Sequence, residues 1–203
     1  YGGTITQFSQ TIKRFGWSCK FVDLDDLDAL RAAADADTRA IFCESISNPG
    51  GYVTDIPAVA GVADELGLPL IVDNTLATPY LCKPIEMGAT LVVHSLTKYI
   101  TGNGTVTGGV VVDSGKFDWS ASDKFPSLSQ PEPAYHGLKF HETFGALAFG
   151  LQNYRPVLPW AGVLANRVAS ERHALMLQGS VRDPEQWLGA VMRNAALSLP
   201  ERH

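Results

Sequence analysis

Short, continuously apolar segments alternate with amphipathic segments along the first half of the chain. Apolar runs of strand length that recur after each amphipathic segment indicate parallel strands joined by helices, because such strands are buried on both faces. The predicted strands are CKFVDL, RAIFCE, LPLIVD, ATLVVHS and TGGVVVD, and the predicted helices are TITQFSQTIKRFG, LDALRAAADAD (with Asp25 and Asp26 as candidate caps) and IPAVAGVADELG (closed by Gly67). The pattern predicts an α/β domain with a mostly parallel sheet and helices on both faces.

The chain changes character after Asp113. Residues 114–137 are rich in Ser, Pro and aromatic residues and have no apolar period, which predicts a long ordered excursion across a surface. From His141 onward the apolar spacing is helical again. The helical segments are ETFGALAFG, AGVLANRVASERHALMLQG and PEQWLGAVMRNAALSL.

Composition narrows the class of partner. The 203 residues are 45% hydrophobic, which suffices for a buried core, and the formal net charge is -5 with Lys and Arg scattered. This predicts a small-molecule partner and no nucleic-acid or anionic-membrane surface. No apolar run approaches membrane-spanning length, and the amino-terminal stretch has no signal-peptide features. Cys19, Cys43 and Cys82 have no framework spacing, so reduced, mostly buried thiols and a cytoplasmic location are expected.

Polar side chains follow three successive predicted strands. Glu44 ends the first and continues as SISNP, Asp73 ends the second and continues as NTLATPY, and the third runs into SLTKY with Ser95, Thr97 and Lys98. Ligands of an open parallel sheet bind beyond the carboxyl ends of the strands. We therefore expect these side chains to converge at one edge of the sheet.

The residue types at this edge are those of a pyridoxal phosphate (PLP) site. A partly desolvated lysine, Lys98, could attack the aldehyde and form a Schiff base. An aspartate such as Asp73 keeps a pyridine nitrogen protonated, and the protonated ring then accepts electrons from a substrate carbanion. The hydroxyls of Ser95 and Thr97 could donate to a phosphate monoester. The set predicts PLP as the cofactor.

Each residue also has an ordinary structural explanation. Lys98 alone would be a solvated loop residue, Asp73 a helix cap or turn residue, and Ser95 and Thr97 turn hydroxyls. Their occurrence together at successive strand ends favours the cofactor site. The glycine-rich TGNGTVTGG resembles a nucleotide loop only superficially, because it precedes a strand instead of following one.

No metal site is predicted. The histidines do not pair with Cys or carboxylates at metal-ligand spacing, so surface or capping roles are expected for them. They are His94, His136, His141, His173 and His203.

Several long motifs carry a family resemblance. They are YGGT, ESISNPGG, VDNTLATPYLCKPIEMGA, VVHSLTKYITGNG and TGGVVVDSGKFDW. From Tyr1 to about Gly150 the chain is similar to the cystathionine-type, fold-type I PLP enzymes of cysteine and methionine metabolism. The segment VVVDSGKFDWSASDKFPSLSQPEPAYHG resembles their O-acetylhomoserine sulfhydrylase (aminocarboxypropyltransferase) branch.

The resemblance implies a role for each residue at the predicted edge. Lys98 would carry the cofactor and move protons, and Asp73 would hold the pyridine nitrogen. Ser95 and Thr97 would bind the phosphate.

Three more residues take roles from the resemblance alone. Tyr1 would stack on the ring and assist departure of the leaving group. Asn48 would contact the ring hydroxyl and the substrate carboxylate side, and Glu44 would belong to the supporting polar shell.

The activity implied is γ-replacement on O-acetyl-L-homoserine with sulfide or a thiol, giving homocysteine or methionine and acetate. A methionine γ-lyase or cystathionine γ-synthase type of enzyme, or a truncated non-catalytic chain, remains an alternative. The resemblance also implies a homo-oligomer, a dimer or tetramer. Residues 1–203 would be a PLP-binding large domain, incomplete at both ends and without the small carboxyl-terminal domain, and residues 153–176 depart from the family pattern.

Overall fold

The computed structural model describes residues 1–154, which are built around a four-stranded sheet. The strands, in their spatial order, are β1 (Ile41–Glu44), β2 (Leu70–Asp73), β3 (Leu91–Ser95) and β4 (Gly109–Asp113). The first three are parallel, and β4 is antiparallel to β3. The sheet is therefore mostly parallel, as the sequence predicts. The turn between β3 and β4 contains no helix, which allows the chain to reverse direction there.

Helices and short helical turns connect and flank the strands of the described residues. They are α1 (Gly2–Thr6), α2 (Leu27–Ala33), α3 (Ile56–Glu65), α4 (Thr78–Leu81), α5 (Pro126–Ser129), α6 (Phe140–Phe144) and α7 (Ala148–Tyr154), with π turns at Gln7–Thr11 and 3₁₀ turns at Ile12–Phe15, Pro84–Met87, Pro133–Tyr135 and Gly145–Leu147. Helix α3 begins where the Asp55 carboxylate accepts the N–H of Ala58, and Gly67, at φ +61°, closes it as predicted. This helix is the crossover between β1 and β2.

The predicted strand CKFVDL is wrong for the described residues. Its alternation is real, because Val22 and Leu24 pack against the core while Phe21 is exposed. A strand also needs a neighbouring strand to pair with, and within residues 1–154 the segment 19–24 pairs with none; the Asp23 carbonyl accepts the N–H of Asp26 in a local turn. Helix α2 is confirmed with Asp26 as its cap (2.8 Å to the N–H of Ala29), although it ends before the predicted pattern does.

The two faces of the sheet are covered by different parts of the chain. On one face, alternate strand residues pack with α2 and α3; these are Ile41, Cys43, Leu70, Val72 and Val92 against Leu30, Val59, Val62 and Ala63. On the opposite face, Ile71, Leu91 and Val111 pack with Trp119, Leu128, Phe140 and Ala148. Helices on both faces are therefore present, as predicted.

The excursion at 114–137 is ordered, as expected, but it does not simply lie across a surface. Trp119 and Leu128 are each 4% exposed, and the Trp119 ring contacts Phe117, Phe125 and Phe149 at centroid distances of 4.8 to 5.1 Å. Aromatic residues can fill a core without any helical or strand period, because their large rings supply the buried area. The segment is therefore the cover of the second sheet face.

The last described segment is helical, as predicted, but it is broken. Helix α6 ends at Gly145, which adopts φ +50°, and α7 continues after a short 3₁₀ turn. The helical patterns at 161–179 and 184–199, and the divergent stretch from residue 155 on, lie outside the described residues.

Candidate active site

The carboxyl ends of the parallel strands bring the predicted polar residues to one edge. Glu44 and Asp73 are register partners at the ends of β1 and β2, so their side chains lie on the same sheet face. Ser95 ends β3, and the chain turns at once, with the Lys98 N–H donating to the Ser95 carbonyl at 3.2 Å. The sheet geometry thus gathers Glu44, Asp73, Ser95 and Lys98 around one edge.

A threonine that the sequence did not indicate connects two of these residues. Oδ1 of Asp73 accepts the Thr75 N–H at 3.0 Å and the Thr75 hydroxyl at 2.5 Å. The same hydroxyl oxygen accepts the N–H of Ser95 at 2.8 Å. The signal available in the sequence was the Asp-x-Thr spacing, which is typical of a side chain that bonds the backbone two residues on.

The two predicted phosphate hydroxyls differ in their surroundings. Thr97 Oγ1 lies 3.0 Å from the amide nitrogen and 3.3 Å from the carbonyl oxygen of Gly108, so it ties the turn to the start of β4. Within residues 1–154, no hydrogen bond of the Ser95 hydroxyl is found. Ser95 is therefore the more available donor of the pair. The glycine-rich segment beside Thr97 forms only the return between β3 and β4.

Lys98 is exposed, with no hydrogen bond or ion pair of its Nζ to any other described residue. The expectation of a partly desolvated ammonium is not met in the described part of the chain, where Lys98 is an exposed residue. The amine is nevertheless sterically accessible and lies one turn beyond Ser95. It can react with an aldehyde held at this edge of the sheet.

Glu44 brings together the remaining predicted residues. Its carboxylate accepts the N–H of Asn48 at 3.1 Å and lies 2.7 Å from the backbone nitrogen of Tyr1. The Glu44 side chain is 15% exposed, whereas Tyr1 and Asn48 are exposed. The arrangement agrees with a supporting position for Glu44 and leaves the Tyr1 ring and Asn48 amide accessible.

Behind the edge, on the sheet face that α3 covers, lies a row of buried polar residues. Ser45, Asn74 and His94 are each at most 5% exposed, and each has one side-chain atom without a partner. The surface role expected for His94 is therefore wrong, since its place on a central strand buries it. Burial lowers the pKa of His94, opposed by the charge of Asp73 and a hydrogen bond with the backbone of Asn74.

The other described histidines are placed differently. His136 is exposed at the end of a 3₁₀ turn, and His141 Nε2 lies 2.9 Å from Asp118. Among the described residues there is no group of three or more His, Cys, Asp or Glu that could hold a metal ion.

Asn74 fixes the loop that carries Thr75. Its fully buried side chain donates to the carbonyls of Thr78 and Cys82 at 3.1 and 2.9 Å. We expect Asn74→Ala to lower the free energy of unfolding by about 1–3 kcal/mol, because two partly buried hydrogen bonds, to the carbonyls of Thr78 and Cys82, are lost. Urea unfolding measures the loss. The exposed Asn103→Ala is the control, and equal losses in the two variants would contradict the prediction.

Cys43 lies on the buried face, as predicted, while Cys19 is exposed, contrary to prediction, because the segment around it forms no strand. Burial, with smaller contributions from Asp73 and Glu44, raises the pKa of Cys43 to about 12.

We expect maleimide at mildly alkaline pH to label Cys19 in the native protein and Cys43 only after unfolding, because the thiolate is the reactive form. Peptide mapping by mass spectrometry identifies the labelled cysteine. Labelling of Cys19 and Cys43 at similar rates in the native protein would contradict the prediction.

The model of the Cys/Met metabolism PLP-dependent enzyme family matches residues 1–154. The chain belongs to this family. Relatives in this PLP-dependent family include sulfhydrylase FUB7 of Fusarium oxysporum f. sp. lycopersici, 51% identical over 73% of this chain, and homocysteine synthase of Schizosaccharomyces pombe, 50% identical over 73%. O-acetyl-L-homoserine sulfhydrylase of Corynebacterium glutamicum is 49% identical over 75%. The chain covers 35%, 35% and 36% of these relatives, about a third of their length.

Solved structures of the same PLP-dependent type share the fold. An O-acetylhomoserine (thiol)-lyase from Campylobacter jejuni superposes with a TM-score of 0.66 at 40% identity, covering 68% of this chain and 35% of that one. That structure contains N'-pyridoxyl-lysine-5'-monophosphate, a lysine joined to the cofactor. The O-acetylhomoserine sulfhydrylase of Wolinella succinogenes superposes with a TM-score of 0.61 at 36% identity, covering 73% of this chain and 39% of that one.

The residues of this chain fit the PLP of the family. The groups that PLP needs are an amine, a carboxylate oxygen and a hydroxyl donor. In the described part of the chain, Lys98 Nζ, Asp73 Oδ2 and the Ser95 hydroxyl are each left without a hydrogen-bond partner. All three stand at the same edge of the sheet, so one molecule could engage them together.

Proposed function

We propose that the full-length protein catalyses γ-replacement on O-acetyl-L-homoserine with sulfide or a thiol, giving homocysteine or methionine and acetate. The observation that carries the proposal is the set of three unengaged groups at the strand ends, on Lys98, Asp73 and Ser95. The family is PLP-dependent, and several relatives near 50% identity are sulfhydrylases or homocysteine synthases. The protein would then act in methionine biosynthesis as a transferase.

PLP, when bound, supplies an electron-accepting ring that stabilises negative charge at the substrate Cα. Lys98 would hold the cofactor through Nζ, and the same amine, once released, would accept the Cα proton and return a proton later. Asp73 Oδ2 would accept the N–H of the pyridine ring and keep the ring protonated. Over the whole reaction the Cγ–O bond to acetate would break and a Cγ–S bond to the hydrosulfide or thiolate would form, while the protons removed from Cα and Cβ would be returned to the carbon chain.

Neighbouring residues would bind the phosphate of the cofactor and contact the substrate. Ser95 donates its hydroxyl to the phosphate, and Thr97 does so in competition with the Gly108 carbonyl, 3.3 Å away. Tyr1 stacks on the ring and assists departure of acetate. Asn48 contacts the ring hydroxyl and the substrate carboxylate side, held near Glu44 through its backbone.

The proposal includes the setting of the enzyme. Residues 1–203 form most of a PLP-binding large domain, and the protein works in the cytoplasm as a homo-oligomer, a dimer or tetramer. Its partners are small molecules, with no role for nucleic acid or membrane. No helix in the described residues is long and apolar enough to cross a membrane.

Activity assays on the full-length protein test the proposal and its alternatives. With O-acetylhomoserine and sulfide, we expect homocysteine and acetate in equal amounts, and little turnover when sulfide is omitted. Release of ammonia and a keto acid without any thiol would instead indicate a γ-lyase, and a preference for cysteine as the acceptor would indicate a γ-synthase. PLP binding with no turnover of any of these substrates would make the protein a non-catalytic member of the family.

A further inference from the structure

We propose that Thr75 is a positioning residue that holds the ring-nitrogen carboxylate and the phosphate-binding strand end in one fixed arrangement. The inference rests on the proposed use of Asp73 and Ser95 for the cofactor. It concerns a residue between them that itself contributes no atom to the reaction.

The hydrogen-bond directions at Thr75 follow from the groups involved. An ionised carboxylate can only accept, so the Thr75 hydroxyl donates its single proton to Asp73 Oδ1, 2.5 Å away. The Thr75 amide donates to the same oxygen at 3.0 Å. A backbone amide can only donate, so Ser95 N–H, at 2.8 Å, occupies a lone pair of the hydroxyl. One side chain thereby connects the ends of β2 and β3.

Because of these hydrogen bonds, the two carboxylate oxygens of Asp73 are in different situations. Oδ1 receives two donors from Thr75, while Oδ2 receives none from any residue in 1–154. The carboxylate cannot rotate without breaking a bond to Thr75, so Oδ2 is held as the oxygen available to a pyridine N–H. The same hydroxyl fixes the Ser95 backbone, and with it the origin of the Ser95 side chain. Thr75 therefore sets the spacing between the ring and phosphate anchors.

Other turns in the chain show that this is more than local turn chemistry. Asn103 Oδ1 accepts the N–H and hydroxyl of Thr105 at 3.1 and 2.8 Å, and Asp118 accepts those of Ser120 at 2.9 and 2.6 Å. Within the described residues, neither of these hydroxyls also accepts an N–H from a second strand. The additional bond to Ser95 distinguishes Thr75.

The test uses the full-length holoenzyme with Thr75→Val, Thr75→Ser and the control Thr105→Val. Valine keeps the shape of threonine and removes the hydroxyl. We expect Thr75→Val to raise the PLP dissociation constant roughly tenfold or more, as the loss of a charge-assisted bond predicts. We also expect the pH midpoint of the visible absorption of bound PLP to move upward. A poorly held Asp73 protonates the ring less, and the ring then withdraws less charge from the nitrogen joined to Lys98.

The serine variant keeps the hydroxyl and separates positioning from packing. Thr75→Ser and Thr105→Val should both retain PLP affinity and the absorption midpoint of the parent protein. The proposal is overturned if Thr75→Val binds PLP within about twofold of the parent with an unmoved midpoint. It is equally overturned if Thr75→Ser, which keeps the hydroxyl, itself loses about tenfold or more in PLP affinity, an outcome that can be measured even where Thr75→Val does not fold.

The measurements also separate this inference from the proposed function. PLP affinity and the absorption midpoint need no amino-acid substrate, so they report on Thr75 even when O-acetylhomoserine is not turned over. Conversely, suppose that a Thr75→Val protein produced homocysteine normally and bound the cofactor with unchanged affinity. That result would contradict the role inferred for Thr75 and would still support the proposed reaction.

Discussion

Replacement of Lys98 by alanine should lower the turnover of O-acetylhomoserine at least about 10³-fold, because one amine is used both for covalent attachment and for proton transfer. The exposed Nζ has no bond to lose within the described residues, so the fold should be unchanged. The rate constant kcat of the full-length enzyme, measured with saturating PLP, gives the effect. Reduction with borohydride and peptide mapping give the attachment point, which should disappear in Lys98→Ala.

Lys83 provides the matched control. It is also an exposed lysine, 63% accessible in its side chain and 3.2 Å from Glu86. Lys83→Ala should keep both the rate and the mapped site, because a surface ion pair contributes little. If Lys98→Ala retained near-parental rates, or the reduced cofactor were mapped to another lysine, the assignment of Lys98 would be wrong.

Replacement of Asp73 by asparagine should lower kcat by roughly 10²-fold or more, since it removes one preorganised charge from the site. Asparagine keeps an oxygen that can accept both donors of Thr75, so the loop should retain its shape. What disappears is the negative charge that keeps the pyridine nitrogen protonated. The pH midpoint of the visible absorption of bound PLP should rise together with the fall in rate.

Asp118→Asn is the control for Asp73→Asn. Asp118 is also the acceptor of a turn, but it lies in the 114–137 segment and pairs with His141. The kcat of the Asp118→Asn enzyme should stay within about twofold of that of the parent, as expected of a surface substitution. An Asp73→Asn enzyme as active as the Asp118→Asn enzyme would show that the ring nitrogen is not held by Asp73.

The central strands could be predicted from the sequence because burial on both faces leaves a continuous apolar run. The same logic placed Asp73 and Ser95, since the end of a buried strand is visible as the first polar residue. CKFVDL shows where the logic stops. Its pattern describes side-chain burial correctly, but pairing depends on a neighbouring strand that composition does not reveal.

Thr75 and His94 illustrate the other part that could not be predicted. The sequence shows a hydroxyl two residues after Asp73 but not that the amide of Ser95, twenty positions later, lies within hydrogen-bond distance. From the sequence, a surface or capping role is expected for His94 because it has no Cys or carboxylate at metal-ligand spacing, and that spacing says nothing about burial. In both cases the packing of neighbouring strands, which is a three-dimensional property, decides the role.

The separate covers of the two sheet faces have a consequence for the order of folding. The face packed by α2 and α3 uses core residues between Leu30 and Val92, whereas the other face needs residues as distant as Ala148. Short-range contacts lose less chain entropy on closure, so the first half of the core can assemble earlier. During synthesis, the residues of that half leave the ribosome before those that cover the other face, and Lys98, the proposed attachment point of the cofactor, directly follows them.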